Sequence, residues 1–478
     1  MIKLPISTRR SLAALAFSLA LLPIWPAERA GKVTGLDRYV QAPDANYHYD
    51  LVNTIPGDGY TTYVLNMTSQ AWRSAAEVDH PIWKHWLTIV RPDQVKGTTG
   101  FLFITGGSIK DKAPDKPNAQ IVDTAVTTHT VVAELRGVPN EPLVFTGETK
   151  ERTEDEIIAY TWVKYLKTGD ETWPLHIPMT KAAVRAMDTI TAFSATPPGG
   201  SVHVEKFVVA GGSKRGWTTW TTAAADKRVV AIVPMVIDML NSVKSFEHHF
   251  QAYGYYSEAV KDYQNMGLMN VSNTPQYAAL MRLEEPFSYR DRFTIPKMIM
   301  NSAGDQYFLP DSSQYYFDEL PGEKYLRYVP NTNHSLKDSD AHENAVAFYD
   351  AFLRGQPRPK FFWKFEKNGD IRVTSVDKPT EVKLWVANNP EKRDFRLLTI
   401  GPAYKSVVVT SKGDNVYIGH VEKPEKGWSA YFVEMTYPSG GKYPFKFTTA
   451  VRVTPDTLPY PAPKPSGKIE DLATEPRP

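Results

Sequence analysis

The chain has 478 residues, 42% of them apolar and 23% charged, with a formal charge of +2. That balance suits a folded protein long enough for two domains, or for one large domain with additions. It contains no cysteine, which excludes disulfides, thiolate metal sites, a cysteine nucleophile and lipid-modified cysteine.

The positive charge is concentrated at the start. Within residues 1–30, Lys3, Arg9, Arg10 and Arg29 stand against one acid, Glu28, and the remainder of the chain sums to −1. A nearly neutral remainder gives no electrostatic case for nucleic acid or an anionic membrane as partner. Residues 1–30 read as an export signal: basic residues, an apolar stretch from Leu12 to Ile24, then small residues at Ala27 and Ala30. The stretch is short for a bilayer span, so no stable membrane insertion is expected after its removal. Thr8-Arg9-Arg10-Ser11-Leu12 also has the form of a twin-arginine signal. Both the Sec and the twin-arginine route stay open, and periplasmic or secreted localisation is expected.

Residues 31–95 mix short strand-like runs with aromatics, and 86–90 read as a strand ending at Pro92. Continuous apolar runs at 100–105 and 130–135 are expected of a parallel sheet covered on both faces. Helical spacing follows at 155–166 and 180–193. A strand at 202–210 leads into a glycine-rich turn, a helix at 215–225 and a strand at 229–237. Segments 297–301, 309–320 and 325–329 continue the alternation, and 343–353 reads as a closing helix. Strand–helix alternation over this length predicts a doubly wound, mostly parallel α/β domain spanning 31–355.

Two segments interrupt it. Residues 239–290 form an insertion rich in Tyr, Phe, Met and His, long for a βα connection. They read as a lid over a pocket, with an extra helical layer as the plainer alternative. After Gln356-Pro357-Arg358-Pro359, short strand candidates at 361–365, 371–375, 381–386, 406–409, 430–436 and 445–453 predict a small antiparallel β-sandwich domain over 360–458. Residues 459–478, rich in proline and charge, are expected to be extended.

The chemistry centres on Val208-Val209-Ala210-Gly211-Gly212-Ser213-Lys214-Arg215-Gly216-Trp217. An apolar strand that breaks at glycines around one serine and passes straight into a helix has the form of a nucleophile elbow. The usual spacing would put glycine at 215; here Arg215 stands there and glycine follows at Gly216. A serine hydroxyl needs a base, and the base needs a carboxylate to hold its tautomer. The order Ser, acid, His, each after a strand, is met by Ser213, by Asp305 in Gly304-Asp305-Gln306-Tyr307-Phe308, and by His334 in Asn331-Thr332-Asn333-His334-Ser335. Asp238 also ends a strand and rivals Asp305; His342 rivals His334. The later strand is the commoner source of the acid, and a loop histidine after the last strand fits the base better, which favours Asp305 and His334.

A tetrahedral oxyanion needs preorganised N–H donors. The backbone N–H of Lys214, directly after the serine, is one candidate; Gly107, in the loop after the 100–105 strand, is the other. The side chains of Lys214 and Arg215 are candidates to meet an anionic substrate, with an acid beneath the elbow as the alternative partner for Arg215. His248-His249 lacks zinc-protease spacing, and no Walker loop or dinucleotide fingerprint is present. No metal or organic cofactor is implied.

The chain resembles the PhoPQ-activated pathogenicity-related protein family. The likeness rests on Leu36-Asp37-Arg38-Tyr39-Val40, Pro81-Ile82-Trp83-Lys84-His85-Trp86, Gly211-Gly212-Ser213-Lys214-Arg215-Gly216-Trp217 and Gly304-Asp305-Gln306-Tyr307-Phe308. It implies an exported protein with an α/β-hydrolase-like core, akin to serine peptidases of the prolyl-oligopeptidase kind, with Ser213, Asp305 and His334 as nucleophile, acid and base. It fixes no substrate. The elbow is also similar to the G-C-S-R-x-G turn of glucuronoyl esterases, with glycine for cysteine and lysine for arginine. Two expectations result: a serine hydrolase cleaving a peptide or ester bond through an acyl-enzyme, or a hydrolase-like scaffold that binds or signals without turnover.

Overall fold

A computed structural model describes residues 33–473; the export-signal reading of residues 1–30 lies outside them. Among the described residues no helix is long and apolar enough to cross a membrane.

Helix α1 (Gly35–Gln41) precedes three long antiparallel strands, β1 (His48–Gly57), β2 (Tyr60–Ala71) and β3 (Ile82–Pro92). The alternation then runs β4 (Thr99–Ile104), α2 (Ala119–Thr128), β5 (Val132–Arg136), α3 (Glu154–Thr168), α4 (His176–Ser194), β6 (Lys206–Gly212), α5 (Lys214–Ala225) and β7 (Val229–Met235). The insertion is helical: α6 (Ser242–Tyr253), α7 (Lys261–Asn265) and α8 (Pro275–Glu284), with 3-10 turns between them. Strands β8 (Lys297–Ser302) and β9 (Lys324–Val329) and helix α9 (Ala341–Leu353) close the alternating part.

In the sheet these strands lie in the order β1-β2-β3-β5-β4-β6-β7-β8-β9, with β5, β4 and β6 to β9 all parallel. The chain steps from β4 to β5 on one side and returns to β6 on the other. The switch point between β4 and β6 opens a crevice at their carboxyl ends, where open α/β sheets bind ligands. This is the α/β-hydrolase arrangement expected from the sequence.

Strand alternation explains the two layers. Val209, Phe207 and Ile232 point into one apolar cluster with Trp217 and Trp220 of α5. Val208, Ala210, Ala231 and Val233 point into another with Phe348 and Ala345 of α9. Both faces are covered, so the strands carry continuous rather than alternating hydrophobicity. Helix α5 is threonine-rich yet buried. Its Thr218, Thr219 and Thr222 hydroxyls donate to the carbonyls one turn earlier, at 2.9, 2.9 and 2.7 Å, which removes the cost of burying them.

The strand-rich C-terminal region departs from the expected separate domain. It contains β10 (Phe361–Phe365), β11 (Ile371–Ser375), β12 (Glu381–Asn389), β13 (Lys405–Val408), β14 (Val416–Gly419), β15 (Trp428–Tyr437), β16 (Phe445–Thr448) and β17 (Arg452–Thr454). Two antiparallel sheets do pack together, β10-β11-β14 against the β12–β15 sheet, through Ile371, Val373, Tyr417, Leu384 and Val433. One of those sheets is a continuation of the central sheet, however, because β16 pairs with β9 at Thr448 and Leu326. From Thr34 onward the chain is one compact unit. Local strand patterning reports that strands form, not which edge they join.

The segment 309–320 also differs: its regular structure is a single 3-10 turn, Ser312–Tyr315. Asp311 and Tyr316 are drawn into buried polar contacts instead. The tail runs extended from 459 to a 3-10 turn at Ile469–Asp471 and lies along the insertion, with Tyr460 N–H donating to Gln251 C=O at 3.1 Å and Gly467 N–H to Asn270 C=O at 2.9 Å.

Candidate active site

Ser213 stands between β6 and α5 with φ 58° and ψ −128°. A non-glycine residue there stores about 1–3 kcal/mol of strain, which persists only where the surroundings over-determine it. The elbow needs glycine at 216 because α5 passes close to β7: a Cβ on Gly216 would lie 2.7 Å from the Met235 carbonyl oxygen. The displaced glycine therefore meets the steric need that the usual motif meets one residue earlier.

Asp305 follows β8 and His334 follows β9. His334 Nδ1 and Asp305 Oδ2 are 2.8 Å apart, and Asp305 Oδ1 accepts the Tyr307 N–H at 2.8 Å. With Nδ1 donating to the carboxylate, Nε2 is left as the acceptor. Among the described residues that buried Nε2 has no hydrogen-bond partner. His334 lines the same cleft of about 440 Å³ as Ser213. The Tyr307 ring, 4.4 Å from the imidazole by centroids, and Gln306 Oε1, accepting the His334 N–H at 3.2 Å, hold His334 from outside that pair. Phe101, Phe103, Ile121, Met235 and Val346 give the cleft apolar walls.

The rivals have other partners, although His342 also lines the cleft. Asp238 is buried and accepts hydrogen bonds from Tyr316 Oη at 2.6 Å and Tyr328 Oη at 2.7 Å. Burial pushes its carboxyl up to about 8, against those two bonds, which pull the other way. His342 Nε2 is 2.9 Å from Asp123 Oδ2, at the start of α9.

Lys214 and Arg215 do not reach out toward an anionic substrate, contrary to one expectation. Lys214 Nζ pairs with Glu154 at 2.6 Å and Asp155 at 3.2 Å. Burial opposes its charge, but Asp155 and Glu154 outweigh that and hold its ammonium above the usual value. The Arg215 guanidinium forms a two-pronged pair with Glu154 at 2.8 and 2.9 Å and donates to the Val138 carbonyl. Burial and the neighbouring Glu154 charge raise the carboxyl of Glu141, which lies 3.8 Å from Arg215. The acidic start of α3 is thus the counter-charge beneath the elbow. Its sequence, Glu154-Asp155-Glu156, reads locally only as a good first turn.

Of the two oxyanion candidates, Lys214 provides the first N–H of α5, one of the four that have no acceptor within a helix. Gly107, at φ +150°, follows β4, the strand beside β6. Neither Gly106 nor Gly107 is among the residues lining the cleft.

Behind Ser213 lies a second, smaller chamber of about 30 Å³. The insertion supplies Met239, Phe246, Val260 and Tyr263 to it, and Trp162 and Trp217 form its far wall. The His176 ring stacks on Trp217 at 4.6 Å, and the Trp217 indole donates to Glu284 C=O of α8 at 2.8 Å. These contacts join residues far apart in sequence, and no local pattern announces them.

Among solved structures, the chain is similar in course to an acetyl xylan esterase from Paenibacillus sp. R4, at 14% identity and TM-score 0.48, covering 68% of this chain and 92% of that one. It is similar also to a glucuronoyl esterase from Solibacter usitatus, at 12% identity and TM-score 0.39, covering 67% and 91%. An acylaminoacyl peptidase from Pyrococcus horikoshii matches at 11% identity and TM-score 0.39, covering 64% and 49%. Likeness this loose says nothing about substrate. A protein of Dictyostelium discoideum, autocrine proliferation repressor protein A, is 38% identical over 456 residues, covering 89% of this chain and 92% of its own. The model of the PhoPQ-activated pathogenicity-related proteins matches residues 36–396. The chain belongs to that family.

Proposed function

We propose that the protein is a serine hydrolase that cleaves an ester or peptide bond. The observation that carries this reading is the His334–Asp305 pair at 2.8 Å, with His334 Nε2 buried and without a hydrogen-bond partner among the described residues, and with His334 and Ser213 lining one cleft. His334 Nε2 takes the Ser213 proton as the oxygen attacks a carbonyl, and the N–H of Lys214, the first of α5, receives the oxyanion. The tetrahedral intermediate collapses with proton return from His334 to the leaving oxygen or nitrogen. Water, deprotonated by the same histidine, then releases the acid product. Asp305 holds the tautomer and balances the imidazolium. The insertion acts as a fixed cap on the chamber behind Ser213. The first 30 residues support action outside the cytoplasm.

The name of the Dictyostelium relative favours a second reading, a hydrolase-like protein that signals by binding and does not turn over substrate. A panel of 4-nitrophenyl esters and peptide anilides separates the two. Turnover by wild type, lost in Ser213→Ala, is expected. Equal rates in both proteins, or none in wild type on any member, would favour the binding reading.

A further inference from the structure

A second cleft of about 440 Å³ opens one strand beyond the glycine loop. Its walls come from the tryptophan-rich segment on β3 and from the end of β5: Lys84, Trp86, Arg136 and Gly137, with Asn66 and Ser108 at the sides. Because β5 is parallel to β4 and β6, Arg136 ends it on the same side of the sheet as Ser213. Two strand spacings, about 10 Å, separate β5 from β6. The cleft touches the glycine loop directly, since Gly137 N–H donates to Gly106 C=O at 3.1 Å.

The charge pattern there is unusual. Trp86 and Arg136 are opposite one another in the β3–β5 register, and Lys84 is two residues from Trp86 on the same face. Lys84 and Arg136 are thereby diagonal neighbours, and both border the cleft. Among the described residues no ion pair or side-chain hydrogen bond holds the Lys84 ammonium or the Arg136 guanidinium; an opposite charge lies at Glu134, two residues before Arg136, whose carboxyl burial raises and Arg136 pulls the other way. Two carboxylates, Asp79 and Asp111, also line the cleft, each accepting a backbone N–H. Asp111 accepts the Ser108 N–H at 2.9 Å, and Asp79 accepts the Val144 N–H at 2.9 Å and lies 3.5 Å from His80. The Trp86 indole is fixed by donation to Asp111 C=O at 3.0 Å, and its ring is only partly buried.

We infer that this cleft binds a carboxylate. Arg136 offers a planar two-pronged donor, Lys84 a second charge, and Trp86 a flat surface for the ring or chain that bears the group. A single negative charge suits the site better than a dianion, because Asp79 and Asp111 stand at its edge. On the hydrolase reading, the cleft is a subsite for substrate on the far side of the glycine loop from Ser213, and the substrate is an acidic one. The binding itself does not depend on that reading.

The test uses glutarate and its neutral diamide, glutaramide, in saturation-transfer NMR with the full-length protein. Wild type and Ser213→Ala should both bind glutarate in preference to glutaramide, the more so at low salt. Arg136→Gln and Lys84→Gln should each weaken glutarate about tenfold and leave the weak glutaramide signal unchanged. Equal binding of the two probes to wild type overturns the inference, and so does a preference that survives both substitutions. If glutarate binds as expected while the ester and anilide panel is inert, the hydrolase reading fails and the carboxylate site stands.

Discussion

The serine was readable from residues alone because its conformational demand leaves a mark. A strained turn between a strand and a buried helix needs glycine wherever the backbones approach, and Gly211 and Gly216 answer to that need. The choice between carboxylates was not readable in the same way. Asp238 and Asp305 both end strands; only their hydrogen bonds separate them, one to two tyrosines and the other to His334. The consequence is measurable. Asp305→Asn should lower kcat by up to about four orders of magnitude, since an amide favours the wrong imidazole tautomer. Asp238→Asn should leave kcat within about tenfold, since an amide can still accept from a tyrosine. A reversal of those two outcomes would show the acid to be Asp238. The pairing of Lys214 and Arg215 with Glu154 and Asp155 lay beyond sequence reading altogether, because α3 and α5 meet only in the folded chain.

At the scale of elements, continuous apolar strands disclosed the central sheet, since a strand buried on both faces has little other way to be written. The two-residue alternation after 360 disclosed strands as well, but their attachment to β9 is a matter of edge pairing. The insertion illustrates a different gap. Its aromatics and histidines suit a mobile cover or a packed layer equally well in sequence. The folded protein pins it from several sides. His248 pairs with Asp311 at 3.0 Å and Arg393 meets the same carboxylate at 2.5 Å; in the tail Leu472 is buried, and the Ala473 N–H donates to Met266 C=O of the insertion at 3.2 Å. Removing residues 459–478 should therefore loosen the insertion, with about 2 kcal/mol lost from Leu472 alone. Limited proteolysis should then cut within 239–290 faster than in the intact chain. Cleavage there at an unchanged rate would mean that the tail contributes nothing to holding it.

For the whole molecule, the sheet brings Ser213, Asp305 and His334 together from three strand ends, and it places ionisable groups where water cannot reach them. Asp238 is an example with a global readout. Its carboxyl is pushed up to about 8 in the folded protein, from an ordinary 3.8, mainly by burial. Between those values the folded protein keeps a proton that the unfolded chain releases, so this group's contribution to stability falls as pH rises. Lys297, held down to about 7 by burial and by Lys324, works in the opposite direction above neutrality. Comparison with Asp238→Asn isolates the carboxyl: the melting temperature of wild type minus that of the variant should fall steadily across the range. A flat difference would mean that the carboxyl is not held protonated.

The central claim is that the three strand ends form a working nucleophile, base and acid. Labelling with a fluorophosphonate, followed by mass spectrometry of the adduct, tests it most directly because the reagent needs an activated serine and no knowledge of the substrate. Wild type should carry one adduct, on Ser213, while Ser213→Ala and His334→Ala should carry none. An unlabelled wild type under conditions that label a control serine hydrolase, or an adduct on another serine, would contradict the account.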